Sequence, residues 1–517
     1  MKLAFNLSRA AGRFGLFAGP ILAIGCYGLL PVEYRGAQNQ LVPFTWAGRV
    51  TLAMMVWMAA WWLTEAIEIS ATALLPLVVL PISGASSMQD AAAPYAHPLI
   101  FLFMGGFLLA LSMRRWRLDQ RIALLTLRLV GTRPSNMVGG FMLATAVISA
   151  FVSNTATTAM MLPIALSVIR LVEGRAVKQG GTDFSSDQRG SFAVCMLLGL
   201  AYAASIGGVA TIIGSPPNAL LVGFVNETMA ESYRTEISFA RWLLLGLPLA
   251  IVFLPMTWLL LTRVIYPIRL PRIAGGRQLI QAELKKLGPV NRGERITMLV
   301  FALTAACWIL RPLLVKLTWT IGGQAVQPLG GLTDPSIAMA GALALFVIPV
   351  NARRGQFVMN WTTARELPWG ILLLFGGGLS LAAAVEANGV AEFLGSQARY
   401  FTGMPAIVHV LVVSTSVTFL TELTSNTATT ATLLPVLAAL APGLGVHPLL
   451  LIVPATFSAS CAFMMPVATP PNAIVFGSGQ VTIPQMMRAG LWLNLIGIVL
   501  ITALTLFVLP PILGLHG

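Results

Sequence analysis

Ser153, Asn154 and Thr155 place two hydroxyls and a carboxamide in the middle of an otherwise apolar stretch, and the chain does this twice. The heptapeptide Ser153-Asn154-Thr155-Ala156-Thr157-Thr158-Ala159 recurs letter for letter as Ser425-Asn426-Thr427-Ala428-Thr429-Thr430-Ala431, and a proline follows each copy, Pro163 and Pro435. A polar cluster duplicated in two apolar settings marks an internal repeat whose repeated part builds one site. Hydroxyl, amide and carbonyl oxygens suit a hard cation, and a set without a carboxylate favours a monovalent ion such as Na+ over Ca2+ or Mg2+. Helix N-termini beside such a cluster offer unpaired N–H groups and partial positive charge, which favour carboxylate or sulfate. A site holding both kinds of ion couples them, because bound cations offset the cost of desolvating a dianion. This is symport chemistry.

The elements that must position these residues are membrane helices. The chain has 517 residues, 57% of them hydrophobic and 10% charged. Its mean hydropathy is +0.82. Apolar stretches of roughly 18 residues or more, long enough to cross a bilayer, recur from end to end. The expected spans run at about 14–31, 47–64, 66–83, 97–125, 191–225, 240–264, 296–314, 334–350, 369–395, 447–478 and 487–513. Two longer stretches, 136–172 and 405–441, carry the heptapeptides near their centres. Asn136–Ile169 has no charged residue, and as one helix its roughly 34 residues would be ~50 Å long, too much for one ordinary span. Each long stretch therefore reads as a re-entrant helical hairpin with its polar tip at mid-membrane, where irregular backbone must face protein or a wet cavity.

The net charge of +14 belongs to loops beside apolar spans, the positive-inside pattern, rather than to a nucleic-acid surface. Arg114, Arg115, Arg117, Arg121, Arg128 and Arg133 crowd one loop region, and Arg263, Arg269, Arg272, Arg277, Lys285, Lys286, Arg292 and Arg295 another. Asn226–Ser238, with Glu227, Glu231 and Glu236, is acidic and reads as external. The basic N-terminus before Phe14–Leu30 resembles a signal sequence, but the long apolar run reads as an uncleaved first span. With a cytoplasmic N-terminus, the first hairpin enters from inside, leaving Arg175, Lys178 and Arg189 cytoplasmic, and the second from outside. The repeat is then inverted. Cys26, Cys195, Cys307 and Cys461 are scattered singly, against disulfides and thiolate metal sites.

Downstream of each tip lies a second matched pair, Gly214-Ser215-Pro216-Pro217-Asn218-Ala219 and Ala468-Thr469-Pro470-Pro471-Asn472-Ala473. Paired prolines remove backbone donors and clash with the previous turn, so each helix must open there and begin again. Upstream, Met104-Gly105-Gly106 corresponds to Phe375-Gly376-Gly377, read as close helix packing. Glu422, an acid within the second hairpin, is either functional or a holder of the tip backbone. Glu65, Glu68 and Glu386 fall near span ends and read as interfacial. His97, His409, His447 and His516 are isolated and take no role.

The paired Ser-Asn-Thr motifs, each followed by Pro-Pro-Asn, resemble the divalent anion/sodium symporter family over essentially the whole chain. Ala459-Ser460-Cys461-Ala462-Phe463-Met464-Met465-Pro466-Val467-Ala468-Thr469-Pro470-Pro471-Asn472-Ala473-Ile474-Val475 fits its signature throughout. The resemblance implies an all-α polytopic protein of about eleven transmembrane helices plus two re-entrant hairpins, dimeric, and working as an elevator. It implies no enzyme activity, co-transported Na+ at two or more sites, and a C4-dicarboxylate such as succinate, malate or fumarate, with citrate, sulfate or sodium-independent exchange as alternatives. One sodium site would use Ser149, Ser153 and Asn154 with a carbonyl near Gly214, the other Thr421, Thr424 and Asn426 with a carbonyl near Ala468. The substrate would meet Asn154, Thr155, Asn426, Thr427, Thr469 and Pro470. Val152 stands where the second copy has Thr424, so the two sites are not equivalent. The expected organisation is scaffold helices at 1–96, a first repeat core at 97–235, scaffold at 236–350 with a basic segment at 263–295, a second core at 351–485 and a closing helix at 486–517. A bacterial inner membrane is the expected location, with the C-terminus periplasmic.

Overall fold

The computed structural model describes residues 2–36, 40–129, 133–178, 186–229, 231–270, 276–321, 324–398 and 403–514. Arg272 and His516 lie outside them, as do the side chains of Arg175, Lys178, Arg189, Arg277 and Glu227. The described residues are mainly helical. The first helices are α1 (Lys2–Leu29), α2 (Trp46–Thr64), α3 (Ile69–Thr72), α4 (Pro76–Ser83) and α5 (Met88–Ala92). Then come α6 (Pro98–Arg115), α7 (Leu118–Leu129), α8 (Pro134–Ser149), α9 (Asn154–Lys178), α10 (Ser186–Val209), α11 (Pro216–Gly223) and α12 (Phe239–Leu259). The middle holds α13 (Gly276–Leu287), α14 (Arg292–Leu314), α15 (Asp334–Val347) and α16 (Trp361–Ala364). The last are α17 (Trp369–Ala387), α18 (Val390–Ala398), α19 (Ala406–Thr421), α20 (Asn426–Gly443), α21 (Leu449–Ala459), α22 (Pro470–Gly477), α23 (Ile483–Ala503) and α24 (Leu509–Leu513). Among the described residues, three small two-stranded antiparallel sheets lie between helices. Among the described residues, seven helices are long and apolar enough to cross a membrane, and several shorter apolar helices accompany them.

The two halves are built alike. In each, a glycine-bearing helix (α6, α17) leads to a short amphipathic one (α7, α18) and then to a helical pair turning at the heptapeptide (α8–α9, α19–α20). A helix interrupted before Pro-Pro follows (α10–α11, α21–α22), then a helix of 21 residues (α12, α23) ending in a π-turn, Leu260–Ile265 or Leu504–Val508. Gly105 packs on the Ala338 backbone, and a Cβ on Gly377 would meet Ala73 O at 2.2 Å, so these glycines make close helix contacts as expected. The expected spans 97–125 and 369–395 are not continuous. The first stops at Arg115, where the crowd of arginines ends the apolar run and Arg117 takes a left-handed conformation (φ 59°). The second stops at Asn388–Gly389, Gly389 supplying the positive φ (72°) that ends a helix without strain.

Residues 192–209 of α10 are all buried, packed among α8, α9, α12 and α22. This helix is the post against which the first tip rests.

Candidate functional site

Each heptapeptide begins a helix. Ser153 and Ser425 cap α9 and α20, accepting from the Ala156 and Ala428 amides, so the N-terminal N–H groups of both helices open where the polar side chains stand. Behind each tip the same triad recurs. Ser149 Oγ lies 2.6 Å from Asn154 Oδ1 and 2.8 Å from the Ala204 carbonyl; Thr421 Oγ1 lies 2.7 Å from Asn426 Oδ1 and 3.0 Å from the Ala459 carbonyl. Both hydroxyls are fully buried. The hydroxyl five residues before each Asn thus does the same thing in both halves, as its spacing suggested.

The interrupted helices are also held alike, by residues the sequence reading left without a role. Asn218 Nδ2 donates to the carbonyls of Gly208 (2.9 Å) and Thr211 (2.8 Å). Asn472 Nδ2 donates to those of Ala462 (3.1 Å) and Met465 (3.0 Å), at the same offsets of ten and seven residues. These amides clamp the opened turns, and the signal was present in the paired Pro-Pro-Asn. Pro216 and Pro470 occupy the first position of the restarting helices, where a missing N–H costs nothing. Thr469 caps α22, accepting from the Asn472 amide, whereas Ser215 makes no such bond.

The halves then diverge. Thr424 Oγ1 donates to the Leu420 carbonyl and pairs with Thr429 Oγ1 (2.7 Å). With Val152 in the matching place, Thr157 Oγ1 is buried without a partner. In the first half, the Thr211 hydroxyl bonds the Ala150 carbonyl and the Gly214 amide. In the second, Glu422 occupies the position equivalent to Ala150. Its carboxylate accepts the amides of Phe463, Met464 and Met465 and the Asn494 side chain, at 2.7–3.0 Å. Glu422 is the holder of the opened backbone. Glu422→Gln replaces half of this acceptor set with an N–H donor facing other donors. Hydrogen bonds to a charged group contribute about 1.5–3 kcal/mol. The variant should therefore melt at clearly lower temperature in detergent; an unchanged melt would mean the 463–465 turn is held by something else.

Both tips and both Pro-Pro turns face one cavity of ≈ 730 Å³. Ser153, Asn154, Thr155 and Gly214 line it from one half, and Asn426, Thr427, Ala468, Thr469 and Pro470 from the other. Ser149 and Thr421 sit behind this lining, while Thr424 faces Thr429 within its own tip. Gly214 is crowded by oxygen: a Cβ there would stand 2.6 Å from the Gly208 carbonyl and 2.9 Å from that of Ala150. The mouth carries Glu65, Arg114 and Glu366. Glu65, read as merely interfacial, and Arg114, read as a loop charge, were not linked to the site because nothing in linear spacing places them beside the tips. His97 and His447 turn out to cap α6 and the start of α21, accepting from the amides of Leu99 and Leu449.

A multi-pass helical bundle that closes two matching polar tips around one cavity has the build of a membrane transporter. The chain belongs to the family described as sodium:sulfate symporter transmembrane region, whose model matches residues 40–513. It is 42% identical over 469 residues to the sodium-dependent dicarboxylate transporter SdcS of Staphylococcus saprophyticus, covering 90% of this chain and 87% of that one. The Staphylococcus aureus protein of the same name is 41% identical over 502 residues, covering 97% and 92%. Among solved structures, the YdaH transporter of Alcanivorax borkumensis superposes with a TM-score of 0.61 at 15% identity, covering 97% of this chain and 98% of that one. MtrF of Neisseria gonorrhoeae gives 0.56 at 10% identity, covering 97% and 94%. These likenesses bear on the fold.

Proposed function

We propose that the protein is a sodium-coupled symporter of C4-dicarboxylates such as succinate, malate and fumarate. The observation that carries this reading is the duplicated triad of hydroxyl, amide oxygen and helix carbonyl behind each tip. Each hydroxyl has one proton and stands within 3.0 Å of two oxygens. With the amides turned oxygen-first, one close oxygen pair at each tip lacks a proton, and a monovalent cation relieves it. One cation site takes Ser149, Ser153, Asn154 and the backbone near Gly214; the other takes Thr421, Thr424, Asn426 and the backbone near Ala468. On the cavity side, the N-termini of α9, α20 and α22 and the side chains of Asn154, Thr155, Asn426, Thr427 and Thr469 meet the two carboxylates, with Pro470 against the carbon chain. The names of the relatives support the choice of both ions.

In the bilayer, α8–α9 and α19–α20 are re-entrant hairpins entering from opposite sides, and the halves form an inverted repeat. The N-terminus is cytoplasmic and the C-terminus periplasmic in a bacterial inner membrane. Glu65, Arg114 and Glu366 then lie at the cytoplasmic side, so the cavity faces inward. The hairpins with their interrupted helices move as a transport unit against a scaffold that holds a homodimer, in an elevator motion. The test is labelled succinate uptake into proteoliposomes with an inward sodium gradient, against a choline control. Concentrative, sodium-dependent uptake into empty vesicles, blocked by excess malate, is expected. Uptake that needs internal dicarboxylate and ignores sodium would make the protein an exchanger, and uptake of citrate or sulfate alone would change the substrate.

A further inference from the structure

A second cavity, of ≈ 560 Å³, lies at the end of the bundle away from the mouth of the first. α17 runs between the two. Pro368 and Ile371, at its start, line the cavity shared by the tips, and Ala382, Val385 and Glu386, at its end, line the other. At 1.5 Å per residue, Ile371 and Ala382 stand ~16 Å apart along the helix. The second cavity is thus a separate space, and its volume suits a small organic molecule.

One wall belongs to the second hairpin: Pro435, Ala438 and Pro442 of α20, joined by Phe224 and Met229 beyond α11. The facing wall is built by α17, α18 and the strand pair Glu33–Arg35 and Leu41–Pro43. The walls touch beside the cavity where neither carries a side chain, for a Cβ on Gly443 of α20 would run into the Gly395 carbonyl of α18. The first half is packed otherwise. There the equivalent helix, α7, lies chiefly against α8 rather than α9, and Ala123 and Leu171 hold the positions of Gly395 and Gly443. The close α18–α20 crossing, with the cavity along it, is particular to the second half.

The lining is mostly apolar, and its charge has one sign. Glu386 and Glu392 are exposed there, and no Lys, Arg or His stands among the described lining residues, in a chain of net charge +14. The two carboxylates repel one another, and Arg234, outside the lining, attracts Glu386. Glu392 is left uncompensated, so the cavity repels a dicarboxylate and attracts a cation. Tyr34 and Tyr233 also line it. Tyr34 is braced edge-on by Phe44 and Phe393, with ring centres 5.9 and 5.2 Å away, and Tyr233 by His447 at 5.3 Å. A cation with an apolar body would meet carboxylate, aromatic ring and apolar wall together, and such rings and charges favour quaternary ammonium.

We infer that this cavity binds a monovalent organic cation with an apolar body, of the quaternary ammonium class, which bridges α18 and α20 and arrests transport. The arrest rests on the elevator reading above, in which the two walls part; the binding does not. The probe is tetrapropylammonium, titrated by calorimetry into the purified full-length protein in lipid nanodiscs, with sodium present throughout. Saturable binding, one per protomer, is expected. Tetramethylammonium, which has the charge without the apolar body, should bind at least about tenfold more weakly. Glu392→Gln should weaken tetrapropylammonium about tenfold or more. Ala438→Phe, which fills the cavity from the α20 side, should abolish binding. Melting curves without probe identify a variant that is merely unfolded, and Val42→Trp then fills the same space from the facing wall. No binding by wild type, or binding unchanged in Glu392→Gln and in the filled variants, would overturn the site. In proteoliposomes, external tetrapropylammonium should lower the maximal rate of succinate uptake without changing the KM for succinate or sodium. Binding that leaves uptake untouched would overturn the arrest alone. A protein that takes up no succinate even without probe would sink the symport reading, and calorimetry would still decide the site.

Discussion

Asn154→Ala and Asn426→Ala are each expected to lower succinate uptake at least about a hundredfold while leaving a folded, monodisperse protein. Each amide faces two ways. Its Oδ1 lies beside a buried hydroxyl, 2.6 Å from Ser149 and 2.7 Å from Thr421, and the residue also lines the shared cavity. Removing it strips one donor from the cation and one contact from the anion. At about 1.5–3 kcal/mol for each charge-assisted contact, and tenfold per 1.4 kcal/mol, the two losses together reach that size. Stability should change little, because neither tip helix depends on these amides: the caps are Ser153 and Ser425. Uptake measured in proteoliposomes at matched protein density decides it. Retention of a tenth or more of wild-type uptake by either variant would mean that its tip does not hold the ions. Ser149→Ala should act more narrowly, raising the sodium concentration for half-maximal uptake.

The heptapeptide repeat and the doubled Pro-Pro-Asn were enough to announce two matching halves and the residues at their tips. Exact duplication is visible in one dimension, and a proline pair breaks a helix wherever it stands. The arginine-rich turn after α6 was readable as a loop but not as a helix end, since Arg117 reaches its left-handed conformation through a local turn that composition does not report. Glu422 was recognised as out of place, yet its role depends on Phe463, Met464 and Met465, some forty residues on, meeting it across an opened turn. Glu65, Arg114 and Glu366 at the cavity mouth come from three separate helix ends. Serine and threonine are common in membrane helices, and only the structure distinguishes those that bond their own helix from those that do not.

Gly208→Ala should separate site from fold. Gly208 lies in the last turn of α10, in a helical conformation that alanine adopts without strain. The added Cβ would stand 2.5 Å from Asn154 Oδ1, however, and the nearest atoms are all of that side chain. The far end of a flexible side chain gives way cheaply, so the amide swings off and the protein keeps its stability. The first triad then loses its central oxygen, and uptake should fall nearly as far as in Asn154→Ala while the melting temperature holds or rises. The neighbouring Gly207→Ala supplies the contrast: its Cβ would meet the Ala146 backbone, 2.3 Å from the carbonyl oxygen, and backbone in a packed helix cannot yield. That variant should lose stability first and uptake as a consequence. In the second half the position matching Gly208 is Ala462, which lies beyond the end of α21, so the two tips are not backed in the same way. Full uptake by Gly208→Ala would show that Asn154 can work from a displaced position, and the triad assignment at the first tip would fall.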